Sequence, residues 1–380
     1  MKNKILYISL IFISILGLTS CKNDLDVLAP GEESVSVYGV LNPNLAVQNI
    51  RINKVYLTNG DALVTGQNAE DINYGAGELK VTLERFMLGS TTPTLTSVGN
   101  SSKKEIVLTE TVITTAGGDF NVNQRIWQTS DKLYNSGEYK LSIKNINTGA
   151  EFSSKTVMVD SVRSYPAMPF IFVPTTYPVH CGSGANGYVA PTIPGTGTQQ
   201  SAYINYSIFT ATPKIKFRSV ANAKLYKVIM RFHYIDSLTD GTGNRKFVDF
   251  NFASQISSLL VGGQELETSF STSEFYSNLA NQIPTQTVGT IKNRTAHYME
   301  YIIYACSENM NTFLKVNQPS TTIAQNKPNY TNINGGVGIF ASVSKTALGK
   351  ELWSDFIDEL SNNTSTSSLL FVKRYKFICP

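Results

Sequence analysis

The chain has 380 residues, with 32 Lys and Arg against 28 Asp and Glu, a formal net charge of +4. Charged residues make up 16% and gather into no basic or acidic stripe, so neither nucleic acid nor an anionic surface is implied as a partner. Tyr, Phe, Thr, Ser and Asn are plentiful, as expected of β-rich exported chains, and a length of this order suggests two domains.

Lys2 and Lys4 precede an apolar run from Ile5 to Leu18. At ~1.5 Å per helical residue such a run falls short of a ~30 Å hydrocarbon core and reads as an export signal. Leu18-Thr19-Ser20-Cys21 resembles a bacterial lipobox, which makes Cys21 the acylated first residue of the mature chain and residues 1–20 its signal peptide. Lys22-Asn23-Asp24-Leu25-Asp26 opens a tether over residues 21–32. It resembles the acidic surface-export signal of Bacteroidota lipoproteins and equally suits a solvated linker.

From residue 33 to 160 short strands with one polar face follow each other, around Val35–Leu41, Leu79–Leu83, Tyr139–Ile143 and Phe152–Val159. This pattern predicts an N-terminal β-sandwich of immunoglobulin-like or transthyretin-like type. Residues 161–200 are rich in Pro and Gly and read as a connection or long loops.

Residues 201–380 are expected to form a larger β-rich domain with a few short helices. Tyr226, Val228, Met230, Phe232 and Tyr234 alternate with polar neighbours, and Asp240–Asn244 turns the chain into a strand over Lys246–Phe252. Helices are expected from a Thr272 or Ser273 cap to Ile283, over Glu308–Asn317 with Ser307 as cap, and over Leu352–Leu360. Strands are expected over His297–Ala305 and Leu369–Ile378.

Candidate chemistry is sparse. Gly182-Ser183-Gly184-Ala185-Asn186-Gly187 fits G-x-G-x-x-G, but of its flanks, Pro178–Cys181 and Tyr188–Pro191, the latter cannot support the helix that a dinucleotide site needs, so the match reads as a flexible loop. His180-Cys181 are adjacent and point apart in extended chain, and three histidines spell out no zinc motif. Cys181, Cys306 and Cys379 allow at most one intramolecular disulfide with one thiol left over, and buried reduced thiols are the favoured reading. No metal, cofactor or catalytic residue is therefore assigned, and the protein is read as a non-enzyme. Tyr177, Tyr188 and Tyr330 are the loop tyrosines retained as candidate ligand contacts. Asp160-Ser161-Val162 and Asp236-Ser237-Leu238 resemble the Bacteroidota O-glycosylation motif, which would place Ser161 and Ser237 at exposed turns.

The order of these features resembles a family of Bacteroidota outer-membrane lipoproteins catalogued as a domain of unknown function and often encoded beside TonB-dependent receptors. The resemblance rests on the lipobox cysteine, the Gly137–Ile143 strand, the Tyr298–Val316 strand and helix, and above all Asn332-Ile333-Asn334-Gly335-Gly336-Val337-Gly338-Ile339-Phe340-Ala341-Ser342. That last run reads physically as glycines admitting close backbone packing. The resemblance implies a surface-facing outer-membrane lipoprotein that serves as an accessory or binding subunit of such a receptor. A free-standing glycan- or peptide-binding module and an adhesin or envelope structural protein are the alternatives.

Overall fold

The computed structural model describes residues 33–55, 69–99, 103–114, 123–160, 171–173, 206, 212–285, 290–318 and 330–372. The chain is mainly β, with several sheets and few helices.

The first half builds two facing sheets. One contains β1 (Val35–Leu41), β2 (Gln48–Lys54), β7 (Asn123–Thr129) and β6 (Thr109–Thr114), in that spatial order. The other runs β9 (Glu151–Val157), β8 (Glu138–Asn145), β3 (Leu79–Phe86), with the short β4 (Pro93–Thr94) and β5 (Glu105–Val107) both pairing with β3. Alternation decides which side chains turn inward: Val35, Val37 and Leu41 from one sheet meet Val81, Leu83, Leu141 and Ile143 from the other in a single buried cluster. Tyr139, near the start of β8, is wholly buried. Its hydroxyl accepts from the Tyr134 backbone N–H at 2.9 Å and donates to the Thr96 carbonyl at 3.1 Å, so its polar tip is satisfied.

Two further strands of this core come from near the end of the chain. β17 (Ile333–Asn334) pairs with β9, and the first part of β18 (Gly336–Glu351) pairs in parallel with β1, from Val35↔Gly336 to Leu41↔Ser342. Ile333 and Phe340 join the N-terminal buried cluster. The glycines permit this approach. A Cβ on Gly336 would lie 2.5 Å from the Val35 carbonyl oxygen, and Gly338 holds φ at +107° while packed against the Val37 backbone. The expected close packing of the Asn332–Ser342 run thus has named neighbours.

β18 then continues past β1. From Val343 to Glu351 it pairs with β16 (Ile291–Cys306), which pairs with β12 (Leu225–Leu238), which pairs with β13 (Gly243–Asn251). One sheet therefore runs through both halves, with the short β14 (Gln255–Ile256) also on β12. A second core lies on its inner side. The large sheet contributes Tyr226, Val228, Met230, Phe232, Tyr301 and Ile303. Opposite them stand the small sheet β10 (Ile171–Val173), β11 (Lys214–Arg218), β15 (Glu265–Ser269) and two helices, α2 (Thr272–Gln282) and α4 (Ser354–Asn362). Helix α1 is the single turn Ala69–Ile72, and α3 (Glu308–Asn317) packs on β18 and β12.

Local expectations are refined in four places. Ser271, not Thr272 or Ser273, precedes α2: its backbone N–H reaches the Glu274 carboxylate at 3.4 Å in a capping box, the Glu lying three residues on. Ser307 precedes α3 as expected, but its hydroxyl accepts from the Ser342 backbone N–H at 3.2 Å and ties the helix start to β18. β16 begins at Ile291, six residues before the expected strand, because Ile291–Ala296 finds ladder partners on β12 through two register shifts. Leu369 lies in a 3-10 turn (Ser367–Leu369), and Phe371 makes a single parallel bridge to Arg294 where a full strand was expected; residues 373–380 lie outside the described residues.

Candidate binding face and groove

The outer side of the C-terminal sheet carries the densest chemistry among the described residues. Strand register places it in rows. Arg231 on β12 lies between Asp249 on β13 and Glu300 on β16; two residues on, His233 lies between Phe247 and Tyr298. Their side chains share a face because each strand advances by two.

Arg231 donates to both Asp249 oxygens, Nε to Oδ1 at 2.6 Å and Nη2 to Oδ2 at 2.8 Å, and its guanidinium sits 4.0 Å from the Phe247 ring centre. His233 stacks on Tyr298 at 4.1 Å and 12° and places Nε2 3.0 Å from Glu300 Oε2. The His233 contact holds the Glu300 carboxyl below its ordinary range, against an opposing push from burial, with Arg231 and Lys345 adding to the lowering. The Asp249 bond raises Arg231 further above its already high value. Phe247 remains 54% exposed, so the array presents an aromatic surface beside paired charges.

Around the β13 edge lies a groove of about 500 Å³. One wall is Asp249 to Ala253, at the end of β13 and just beyond it. The other is the polar stripe of α2, Glu274, Asn278 and Gln282, spaced one turn apart. Met230, Phe270 and Phe275 line it from the core. Its exposed lining is mostly polar, because Met230, Phe270 and Phe275 are themselves buried, and its size alone makes it a candidate site.

The described sequence candidates lie elsewhere. Tyr330 is half-buried beside α3, its hydroxyl donating to Asn309 Oδ1 at 3.1 Å; burial and then Glu308 push its phenol upward. Ser237 is half-buried within β12, paired with Gly243 and Asn293, because the strand continues through Leu238 and the turn comes after it. Cys21, Ser161, Tyr177 and Tyr188 lie outside the described residues, as do Cys181 and Cys379. Cys306 is a buried free thiol, pushed up to about 11 by burial. Among the described residues no three His, Cys, Asp or Glu side chains gather as metal ligands.

Sequence reasoning missed the array because its partners are remote: His233 and Glu300 are 67 residues apart. The α2 stripe did leave a trace, since Glu274, Asn278 and Gln282 recur every four residues beside the apolar Phe275, Leu279 and Ile283.

No protein-family model matches the chain, and no curated protein matches it. Among solved structures it is similar to the secreted serine protease VesC from Vibrio cholerae, at 7% identity with a TM-score of 0.16, covering 63% of this chain and 46% of that one. The chain spans under half the length of that protein, and a likeness at this TM-score carries no argument about fold or activity.

Proposed function

We propose that this chain is a non-catalytic, surface-facing outer-membrane lipoprotein that works by binding, as an accessory subunit of a TonB-dependent receptor. The lipobox at Leu18–Cys21 and the short tether support the address. The observation that carries the binding role is the groove beside β13, the last strand of the large sheet among the described residues, away from the end at which Glu33 leads into β1. Glu33 leads into β1 at its Val35↔Gly336 end, whereas the groove strand β13 is level, through β12 and β16, with residues 345–349 of β18. At ~3.3 Å per strand residue that is roughly 30–45 Å further along β18. An anchored chain so built holds its binding edge clear of its attachment.

The N-terminal unit is read as immunoglobulin-like in preference to transthyretin-like. The orders β1-β2-β7-β6 and β9-β8-β3 parallel the A-B-E-D and G-F-C sheets of that fold, and Tyr139 bonds back to Tyr134 as a tyrosine corner does.

The test is co-purification: acylated protein extracted gently from membranes is expected to bring down a TonB-dependent receptor, and recovery without any receptor contradicts the accessory role. The alternative of a free-standing glycan-binding module is favoured by one observation, the exposed Phe247 ring within the polar array. Under that reading Phe247→Ala abolishes retention on a glycan array while the fold persists.

A further inference from the structure

Among the described residues the large sheet ends on β13 at one side and β6 at the other. An edge strand exposes backbone N–H and C=O groups, and folded chains blunt such edges with charge, bulges or shortness. β13 carries Arg245, Lys246 and Asp249. In the smaller sheets β4, β5, β10 and β17 run only two or three residues, and β15 carries Glu265 and Glu267 in ion pairs with β11.

β6, Thr109-Glu110-Thr111-Val112-Ile113-Thr114, lacks these devices. It pairs with β7 over its whole length without a register shift, and five of its six residues are β-branched, the type that favours further strand pairing. Its single charge is engaged, since Glu110 accepts from Arg125 Nη1 and from the Gly77 backbone N–H at 2.9 Å. Val112 and Ile113 point to opposite faces and are 52% and 38% exposed.

The ladder fixes which groups face outward. The Arg125 backbone N–H donates to Asn73 Oδ1 at 3.3 Å, on the side of β2, whose Asn53 Nδ2 donates to the same oxygen at 3.2 Å. Arg125 therefore exchanges no backbone bond with Val112 opposite it, and alternation gives the β6–β7 bonds to Thr109, Thr111 and Ile113. Glu110, Val112 and Thr114 turn their N–H and C=O away from β7. The stretch is closed at its start, where the Leu108 N–H donates to the Val81 carbonyl of the facing sheet at 2.9 Å.

Three outward residues spaced by two and centred on Val112 are complementary to themselves. An antiparallel copy related by a two-fold axis at Val112 sets Glu110 against Thr114, Val112 against Val112 and Thr111 against Ile113. Both exposed apolar side chains gain a β-branched cross-strand neighbour, and no charge opposes a like charge. Centring on Glu110 would oppose two carboxylates, and centring on Thr111, Ile113 or Thr114 leaves an outward residue of the strand without a partner.

We propose that two copies of this chain dimerise edge to edge through β6, antiparallel about a two-fold axis at Val112. The pairing is independent of the membrane address and of the receptor role.

The chain from Lys22 to Pro380, which retains every described element, is followed by sedimentation velocity over a concentration series. It is expected to be dimeric at about 100 μM, a weak association suited to so small an interface. Val112→Lys and Val112→Glu each set like charges against one another at the axis and are expected to weaken association at least about tenfold, with unchanged thermal melts. An equimolar mixture of the two variants is expected to regain a one-to-one dimer, because lysine then meets glutamate. In the unsubstituted chain, hydrogen exchange is expected to slow with concentration at the amides of Glu110, Val112 and Thr114. An unsubstituted chain that stays monomeric, a dimer that either variant leaves intact, a mixture that stays monomeric, or exchange at those three amides that ignores concentration overturns the proposal.

Discussion

Arg294 is wholly buried and shows what a single remote pairing does in this chain. Its Nε donates to Asp236 at 2.8 Å, and its two terminal nitrogens donate to the carbonyls of Leu369 and Pro284 at 2.9 and 3.0 Å. It thereby holds the chain after α4 and the chain after α2 against β16. Arg294→Ala removes the cation and leaves Asp236 buried, a change expected to cost about 3–5 kcal/mol in urea unfolding. Glu300 behaves differently because its partner lies on the half-exposed face. Its carboxyl is held below the ordinary 4.5, so its contribution is present above that value and is lost as pH falls through the lower folded value. Glu300→Gln is expected to cost about 1 kcal/mol at pH 7 and progressively less on acidification below about pH 4, read from urea midpoints across pH. Equal losses at pH 7 and pH 3 would count against this assignment. Neither contact was legible beforehand: Asp236 and Arg294 are 58 residues apart, and an arginine in an alternating strand carries no mark of burial.

At the scale of elements, strand alternation was legible and partnership was not. Val35, Val37 and Leu41 announced β1, as Tyr226 to Tyr234 announced β12, because side chains on a half-buried strand must alternate. The start of β16 was hidden because Lys292-Asn293-Arg294-Thr295 lacks an apolar alternation; register shifts and a buried ion pair keep it in the sheet instead. The glycine run at Asn332–Ser342 was legible as close packing, but not that β1 was its neighbour. At Gly338 a side chain meets both an unfavourable φ and the Val37 backbone. Gly338→Ala is expected to destabilise by at least about 2 kcal/mol in thermal or urea melts. Phe340→Ala, which empties a wholly buried site in the N-terminal cluster, is expected to cost about 3–5 kcal/mol. A fragment of residues 22–160 lacks both closing strands and is expected to melt at a higher temperature when a peptide of residues 331–343 is added in trans. An unchanged melt would mean that β17 and the first part of β18 are dispensable.

For the whole molecule the consequence is unity. A reading along the chain divides it near residue 160, yet β18 places Gly336–Ser342 on β1 and Val343–Glu351 on β16 without leaving one continuous strand. Glu33 leads into β1 beside one end of that strand and the candidate groove lies toward the other, joined through a backbone ladder. Two tryptophans, all that the chain contains, report on the two cores: Trp127 is buried in the N-terminal cluster, and Trp353 precedes α4, whose Phe356 and Ile357 lie in the C-terminal one. The most direct measurement is urea unfolding of Trp127→Phe and Trp353→Phe, each followed by its remaining tryptophan and by circular dichroism. The structure predicts that, within each variant, the tryptophan and circular dichroism transitions coincide. A tryptophan signal that completes its transition while a second circular dichroism step remains would contradict it, leaving β18 as a connection between two separately stable domains.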